Sequence, residues 1–311
     1  MLSRVADSFY WMRRYLERAE HSARVIDVHL SLSLDDPTDT VGRTLLSAVG
    51  ERPASVPMPE IPLRAEATGR VDPVHRAAVV GCVVAARENA RQIREQISAE
   101  MWERLNRLYL VLRESQQDGP AFMRAVIEGT HLFQGVTEAT LSQGEGWHYM
   151  QLGRYIERAT TTASMLAKYF GERGDPTDAV KTGQYVEWVG LLRACAALEA
   201  YTRAHTADIR PERLVEFLLL NADCPRSVRF AADRIEDSLR TIARLLGREA
   251  TGRPDRLAGR LRAALNFGTI DEIIADDLVR YVESIHEQCD QIHATLHQTY
   301  ISYALEAAMA R

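Results

Sequence analysis

Two six-residue segments hold the side chains best suited to chemistry in this chain. They are Arg14-Tyr15-Leu16-Glu17-Arg18-Ala19 and, 140 positions later, Arg154-Tyr155-Ile156-Glu157-Arg158-Ala159. Arginine presents a planar fork of donors that matches carboxylate or phosphate oxygens in pairs, while glutamate orients such a fork or acts as a general base. The flanks agree in character as well, Met12 with Leu152, Ser22 with Thr162, Ala23 with Ala163 and Ile26 with Leu166. Two related helices are therefore expected.

At about 100° per residue, Leu16, Ala19 and Ala23 share one face of such a helix, whereas Arg14 and Arg18 point nearly opposite. A like-charged pair four residues apart costs about 0.2 to 0.5 kcal/mol on a bare helix, so something anionic should face Arg14 with Arg18, and likewise Arg154 with Arg158. Arg13 lies four residues before Glu17, but Gly153 stands at that place before Glu157, so a local ion pair does not explain both glutamates. Two readings stand open. In one, each glutamate pairs with the other copy's arginines across the bundle as a structural network. In the other, the four guanidiniums, with Tyr15 and Tyr155, grip a carboxylate or phosphate, and Glu17 and Glu157 are the candidate catalytic groups.

Three further sets of residues have types and spacing that suit a ligand. Arg87 and Asn89, near Arg91 and Arg94, either join the arginine cluster or form a solvated helix face. Arg226 and Ser227 follow Pro225, read as a helix start whose free N-H groups favour an anion. His286, Asp290, His293 and His297 step by four, three and four along one helix face beside Cys289; the competing reading is an ordinary amphipathic helix built on Ile285, Ile292 and Leu296. Trp102 and Trp147 read as core or interface anchors. No Gly-x-x-x-x-Gly-Lys-Ser/Thr, Gly-x-Gly-x-x-Gly or Gly-x-Ser-x-Gly segment is present, so nucleotide hydrolysis and serine-hydrolase chemistry have no support and no cofactor is implied.

The elements that must carry these residues are helical. Apolar positions Phe9, Met12, Leu16, Ala19, Ala23, Ile26 and Leu30 step by three and four, which predicts one long helix ending at Asp35-Asp36-Pro37. Between Pro37 and Pro73 lie six of the eleven prolines, so about 37-73 reads as a loop insertion with one helical piece near Arg43 to Val49. Asp72-Pro73, Gly119-Pro120, Asp175-Pro176, Arg210-Pro211 and Cys224-Pro225 read as helix starts, Thr269 with Glu272 as a capping box, and Gly171, Gly174 and Gly268 as helix ends. No segment alternates with period two. The expectation is an all-α bundle of about nine or ten helices forming a single domain over 1-311, with pseudo-symmetric halves 1-140 and 141-311.

Composition narrows the function classes. With 38 basic against 43 acidic residues the net charge is -5, which gives no global attraction to nucleic acid or an anionic membrane, so any anion site must be local. Cys82, Cys195, Cys224 and Cys289 are scattered without a Cys-x-x-Cys pair, which fits reduced thiols. The longest apolar run, Ala77 to Ala86, is about half of the ~20 residues needed to span a bilayer. Met1 to Asp7 carries charges where a secretory apolar region would lie, so a soluble, cytoplasmic protein is expected.

On these residues the chain resembles the bacterial alpha-E family. The resemblance runs through Met1-Leu2-Ser3-Arg4, Tyr10-Trp11-Met12, Tyr15 to Glu20, Ala86 to Arg91 with Arg94, and Ser98 to Glu103 with Leu105-Asn106. It continues at Gly146-Trp147, Gly153 to Ala159, Glu199-Ala200-Tyr201 with Arg203, and Pro225 to Val228. The proline-rich insertion and Ala222-Asp223-Cys224 depart from it. The resemblance implies partnership with ATP-grasp-type peptide or amide ligases and transglutaminase-like proteins, sometimes beside a proteasome-like peptidase. The leading expectation is thus a helical accessory or co-catalytic subunit of a peptide-modification system, which binds the ligase or its anionic peptide or acyl-phosphate substrate. The rivals are a stand-alone acyl- or aminoacyl-transfer enzyme and a structural scaffold.

Overall fold

A computed structural model of the chain describes residues 1–35, 40–50, 72–114, 119–173, 184–206 and 208–302. Among the described residues there is no strand, and thirteen α-helices succeed one another. They are α1 (Ser3–Asp35), α2 (Thr40–Gly50), α3 (Pro73–Gln92), α4 (Ala99–Glu114), α5 (Pro120–Thr140), α6 (Glu145–Arg173), α7 (Gln184–Ala194), α8 (Leu198–His205), α9 (Pro211–Leu220), α10 (Val228–Leu245), α11 (Arg253–Phe267), α12 (Ile270–Asp276) and α13 (Leu278–Leu296). A short 3-10 turn, Arg94–Gln96, follows α3, and a π-helical turn, His297–Ser302, follows α13.

Local chemistry sets most of the boundaries. Asp72 caps α3 by accepting from the Val74 N-H, with Pro73 in the first turn where its missing donor costs nothing. Gly119 takes a positive φ of 69° immediately before Pro120 opens α5. Thr269 and Glu272 close a full capping box on α12. The helical piece read near Arg43 to Val49 is α2, while 51–71 and the start read at Asp175-Pro176 lie outside the described residues, as does Gly174. Three readings need correction. Gly171 is inside α6, because two more residues continue the helix. The helix read at Pro225 begins at Val228, since Ser227 accepts from the Phe230 N-H and takes the cap. The helices outnumber the nine or ten expected because the stretch from Gln184 to Asp276 is cut into short pieces.

The central feature is the pairing of α1 with α6, the most extensive helix contact in the molecule. They run in parallel, as successive links between Met1 and Glu145, Arg14 and Glu157, and Arg158 and Glu17 require. α3 and α5 pack against α1, while α10 and α13 pack against α6; α4 backs α3 and α5, and α11 backs α10 and α13. α1 therefore has almost no solvent face, and its apolar stripe is only part of what is buried. The pairs matched across the repeat sit at equal depth: Met12 and Leu152, Ser22 and Thr162, Ala23 and Ala163, and Ile26 and Leu166 are all buried. At the crossing, a Cβ on Gly153 would lie 2.2 Å from the Tyr10 carbonyl oxygen, so glycine lets the two backbones touch. All four cysteines are buried, and none is in a disulfide among the described residues.

Candidate functional site

The two motif copies meet face to face. Arg14 Nε donates to Glu157 Oε2 at 2.8 Å and Arg18 Nε to Glu157 Oε1 at 2.5 Å. In exchange, Arg158 Nε donates to Glu17 Oε1 at 2.6 Å, and its Nη1 reaches the Pro225 carbonyl at 2.8 Å. The anion expected opposite each arginine pair is thus the other copy's glutamate, and the supposed outer face of α1 is an interior one. Glu17 and Glu157 are 1% and 0% exposed, so both carboxylates are desolvated, and of the three arginines only Arg18 keeps some exposure.

The exchange is not symmetric. Arg154, the partner of Arg14 by repeat, stays 3.7 Å from Glu17 Oε2, too far for a hydrogen bond. Arg13 approaches the same oxygen at 3.7 Å, and Arg226 donates to Glu17 Oε1 at 3.1 Å while also binding Glu20. Glu17 therefore has four guanidiniums within 4 Å, and Glu157 has two. The sequence offers Arg13 as a partner for Glu17, but Gly153 at the matching place in the other copy sets it aside as a general explanation, and it was not placed in the site. Glu20, also missed, accepts from Arg24 at 3.0 Å and lies 3.1 Å from His131 Nε2. Its acid beside a repeated Glu-Arg step was the available signal.

Burial alone would raise the Glu17 carboxyl, but Arg158 and Arg226 hold it at about 2. Burial opposes Arg18 and Arg14 at Glu157 in the same way, and the arginines again win, keeping it below the usual carboxylate range. Arg13 moves the other way, pushed down to about 9 by burial first and then by Arg154. At the Glu157 end, Arg14 Nη1 donates to the Tyr10 hydroxyl at 3.2 Å, and that hydroxyl lies 2.8 Å from His293 Nδ1. Burial and then Arg14 push His293 down to about 3, so its ring is neutral, and Nδ1 and the Tyr10 hydroxyl share one hydrogen bond.

The tyrosines of the motif are packing partners. Tyr15 stacks on Trp11 at 5.5 Å, and Tyr155 lies beneath Arg154 and Arg158, at 5.3 and 5.5 Å. Ser227 caps α10 and also donates to the Asn221 carbonyl, which consumes its hydroxyl. Arg87 and Asn89 do not join the cluster. Arg87 donates to Asn106 at 2.7 Å over the Tyr109 ring, and Asn89 donates to the Ala85 carbonyl.

Of the four candidates for a metal, His286, Asp290 and His293 lie on α13 and His297 opens the turn after it. His286 meets Ser164 at 3.0 Å and Asp290 at 3.5 Å, His293 meets Tyr10, and His297 lies 3.5 Å from Asp7. Among the described residues no three His, Cys, Asp or Glu side chains converge as a metal set. A cleft of about 510 Å³ opens between α6 and α13, lined by Ser164, Lys168, Glu172, Val279, Val282 and His286 among others. It lies along α6 beyond Glu157, and none of the motif arginines lines it.

Residues 1–301 match the family model Alpha-E, described as "A predicted alpha-helical domain with a conserved ER motif". The chain belongs to the Alpha-E family. Uncharacterised proteins of Mycobacterium bovis and Mycobacterium tuberculosis are 22% identical to it over 94% of its length. The chain spans about a third of those relatives, 35% of each. No solved structure matches it. The repeated Glu-Arg steps at 17–18 and 157–158 of this Alpha-E chain both lie in the network. No helix among the described residues is long and apolar enough to cross a membrane.

Proposed function

We propose that this Alpha-E protein is a cytosolic helical accessory or co-catalytic subunit. It would bind an ATP-grasp-type ligase, or the ligase's anionic peptide or acyl-phosphate substrate, with a transglutaminase-like protein as a further partner. The observation that carries this reading is the positive surplus around Glu17. Seven guanidiniums, Arg13, Arg14, Arg18, Arg24, Arg154, Arg158 and Arg226, share three carboxylates, Glu17, Glu20 and Glu157. Arg18, Arg154 and Arg226 are 16%, 17% and 14% exposed, so this surplus reaches the surface where an acidic group can meet it. A carboxylate held at about 2, as Glu17 is, makes a weak base at neutral pH, which leaves the stand-alone acyl-transfer reading with less support.

The test is reconstitution with a purified ATP-grasp-type ligase, comparing the wild type with Arg18→Gln and Arg154→Gln. Binding should weaken at least tenfold while helix content stays unchanged. Unaltered binding and product formation by the folded variants would sink the proposal. A scaffold role is favoured by one specific observation, that Glu157 is completely buried with both its oxygens paired. In that case Glu17→Gln with Glu157→Gln destabilises the fold yet leaves partner affinity per folded molecule unchanged.

A further inference from the structure

Three of the four motif arginines are occupied: Arg14 and Arg18 by Glu157, Arg158 by Glu17 and the Pro225 carbonyl. Arg226 is divided between Glu17 and Glu20. Two guanidiniums are left over. Arg13 is 3% exposed and, among the described residues, makes no hydrogen bond; the one carboxylate within 4 Å of it there is Glu17, with Oε2 at 3.7 Å. Arg154 faces the same oxygen at 3.7 Å, and its buried Nε has no hydrogen-bond partner; neither has Glu17 Oε2.

Buried guanidiniums without a hydrogen-bonded counter-charge are costly, since arginine keeps its proton under ordinary conditions and cannot escape by neutralising. Arg13 feels both burial and the like charge of Arg154. The equivalent place in the other helix is glycine, so the repeat itself does not call for this cation. Arg154 is 17% exposed, so the pair is reached from solvent along its side chain.

We propose that Arg13 and Arg154 together seat an oxyanion, a carboxylate or phosphate group at the end of a larger ligand, which bridges the two guanidiniums beside Glu17. Four cations around Glu17 outweigh the repulsion between that carboxylate and the incoming anion. The Glu-Arg pairs of the family motif then act as the frame, and the ligand is held by one motif arginine, Arg154, and one residue outside the motif, Arg13. The inference deepens the proposal of an anionic ligand and rests on that reading of the cluster.

The isolated full chain is titrated with inorganic phosphate and with sodium acetate at fixed ionic strength, with chloride as the control, by calorimetry and thermal unfolding. Saturable heat and a rise in Tm with at least one oxyanion, at least tenfold weaker in Arg154→Gln and in Arg13→Gln, are the expected result. Phosphate alone or acetate alone assigns the group. Oxyanions that do no more than chloride, or folded variants that bind as the wild type does, overturn the proposal. Should either variant fail to fold, phenylglyoxal modification of the wild type decides. Mapped by mass spectrometry, Arg154 must be protected by the oxyanion more than Arg18, and equal reactivity with and without it counts against the site. Because no ligase is present, loss of partner binding with oxyanion binding retained would refute the subunit reading alone.

Discussion

The two ends of the network between α1 and α6 descend from the same six-residue motif and close their charge differently. At the Glu157 end, two guanidiniums meet both oxygens of one carboxylate at 2.8 and 2.5 Å, and Tyr10 with His293 takes up a further donor of Arg14. At the Glu17 end, four guanidiniums crowd one carboxylate, two at 3.7 Å. The first arrangement satisfies both carboxylate oxygens and, among the described residues, leaves Arg14 Nη2 without a hydrogen bond. The second holds charge that the chain itself does not neutralise, and the difference comes from Arg13 and Arg226, which have no counterparts at the other end.

The sharpest way to break this comparison is to remove neighbouring arginines from the two ends. Arg14→Gln leaves Glu157 with half its counter-charge in a dry interior and should cost about 3 kcal/mol or more in urea unfolding. Arg13→Gln removes a cation that is already under-neutralised, so without added oxyanion it should cost less than about 1 kcal/mol or stabilise the fold. Equal losses would mean that both ends are structural joints. Gly153→Ala attacks the crossing that serves both ends: a methyl against the Tyr10 carbonyl should cost about 1 to 3 kcal/mol. Gly135→Ala, on an exposed turn of α5 with open space around it, should gain up to about 1 kcal/mol through helix propensity.

Protonation probes the ends separately. Burial first, and then Arg226, push His21 down to about 4; burial and then Arg14 push His293 to about 3 and His297 to about 4, all from 6.5. A folded value below the unfolded one means that the native state prefers the neutral ring. The resulting stability is fully present above pH 6.5 and is lost as pH falls toward 4 and then 3, by up to about 1.4 kcal/mol per unit for each imidazole. Unfolding free energy measured between pH 7 and 4.5 should fall accordingly. His293→Gln with His297→Gln should flatten that slope more than His21→Gln does, and an equal effect would contradict the assignment of two histidines to the Glu157 end. The carboxylates act lower still: Glu17, held at about 2 against 4.5, contributes stability that persists above 4.5 and disappears as pH falls through 2.

Helix starts were readable because their chemistry is local: Asp72 before Pro73, Gly119 before Pro120, and Thr269 with Glu272 act within one turn. Cys224-Pro225 misled for the same reason, since Ser227 is a better cap than the residue before a proline. His286, Asp290 and His293 did fall along α13, with His297 just past its end, but they divide into a His286–Asp290 pair beside Ser164 of α6 and a His293–His297 pair against Tyr10 of α1, a division that spacing within one helix does not encode.

By itself the sequence determined the all-α class, the capped helices, and the existence of two related helices whose arginines need anions. Helical periodicity and like-charge repulsion operate within a few residues, so a single strand of text carries them. Tertiary structure alone decided which anions those were, and that Arg13 and Arg226 would tip one end into surplus. Charges 141 and 209 residues apart in the chain become neighbours only when α1 and α6 lie in parallel against the start of α10, and the low dielectric of that interior turns a repeated motif into an asymmetric site.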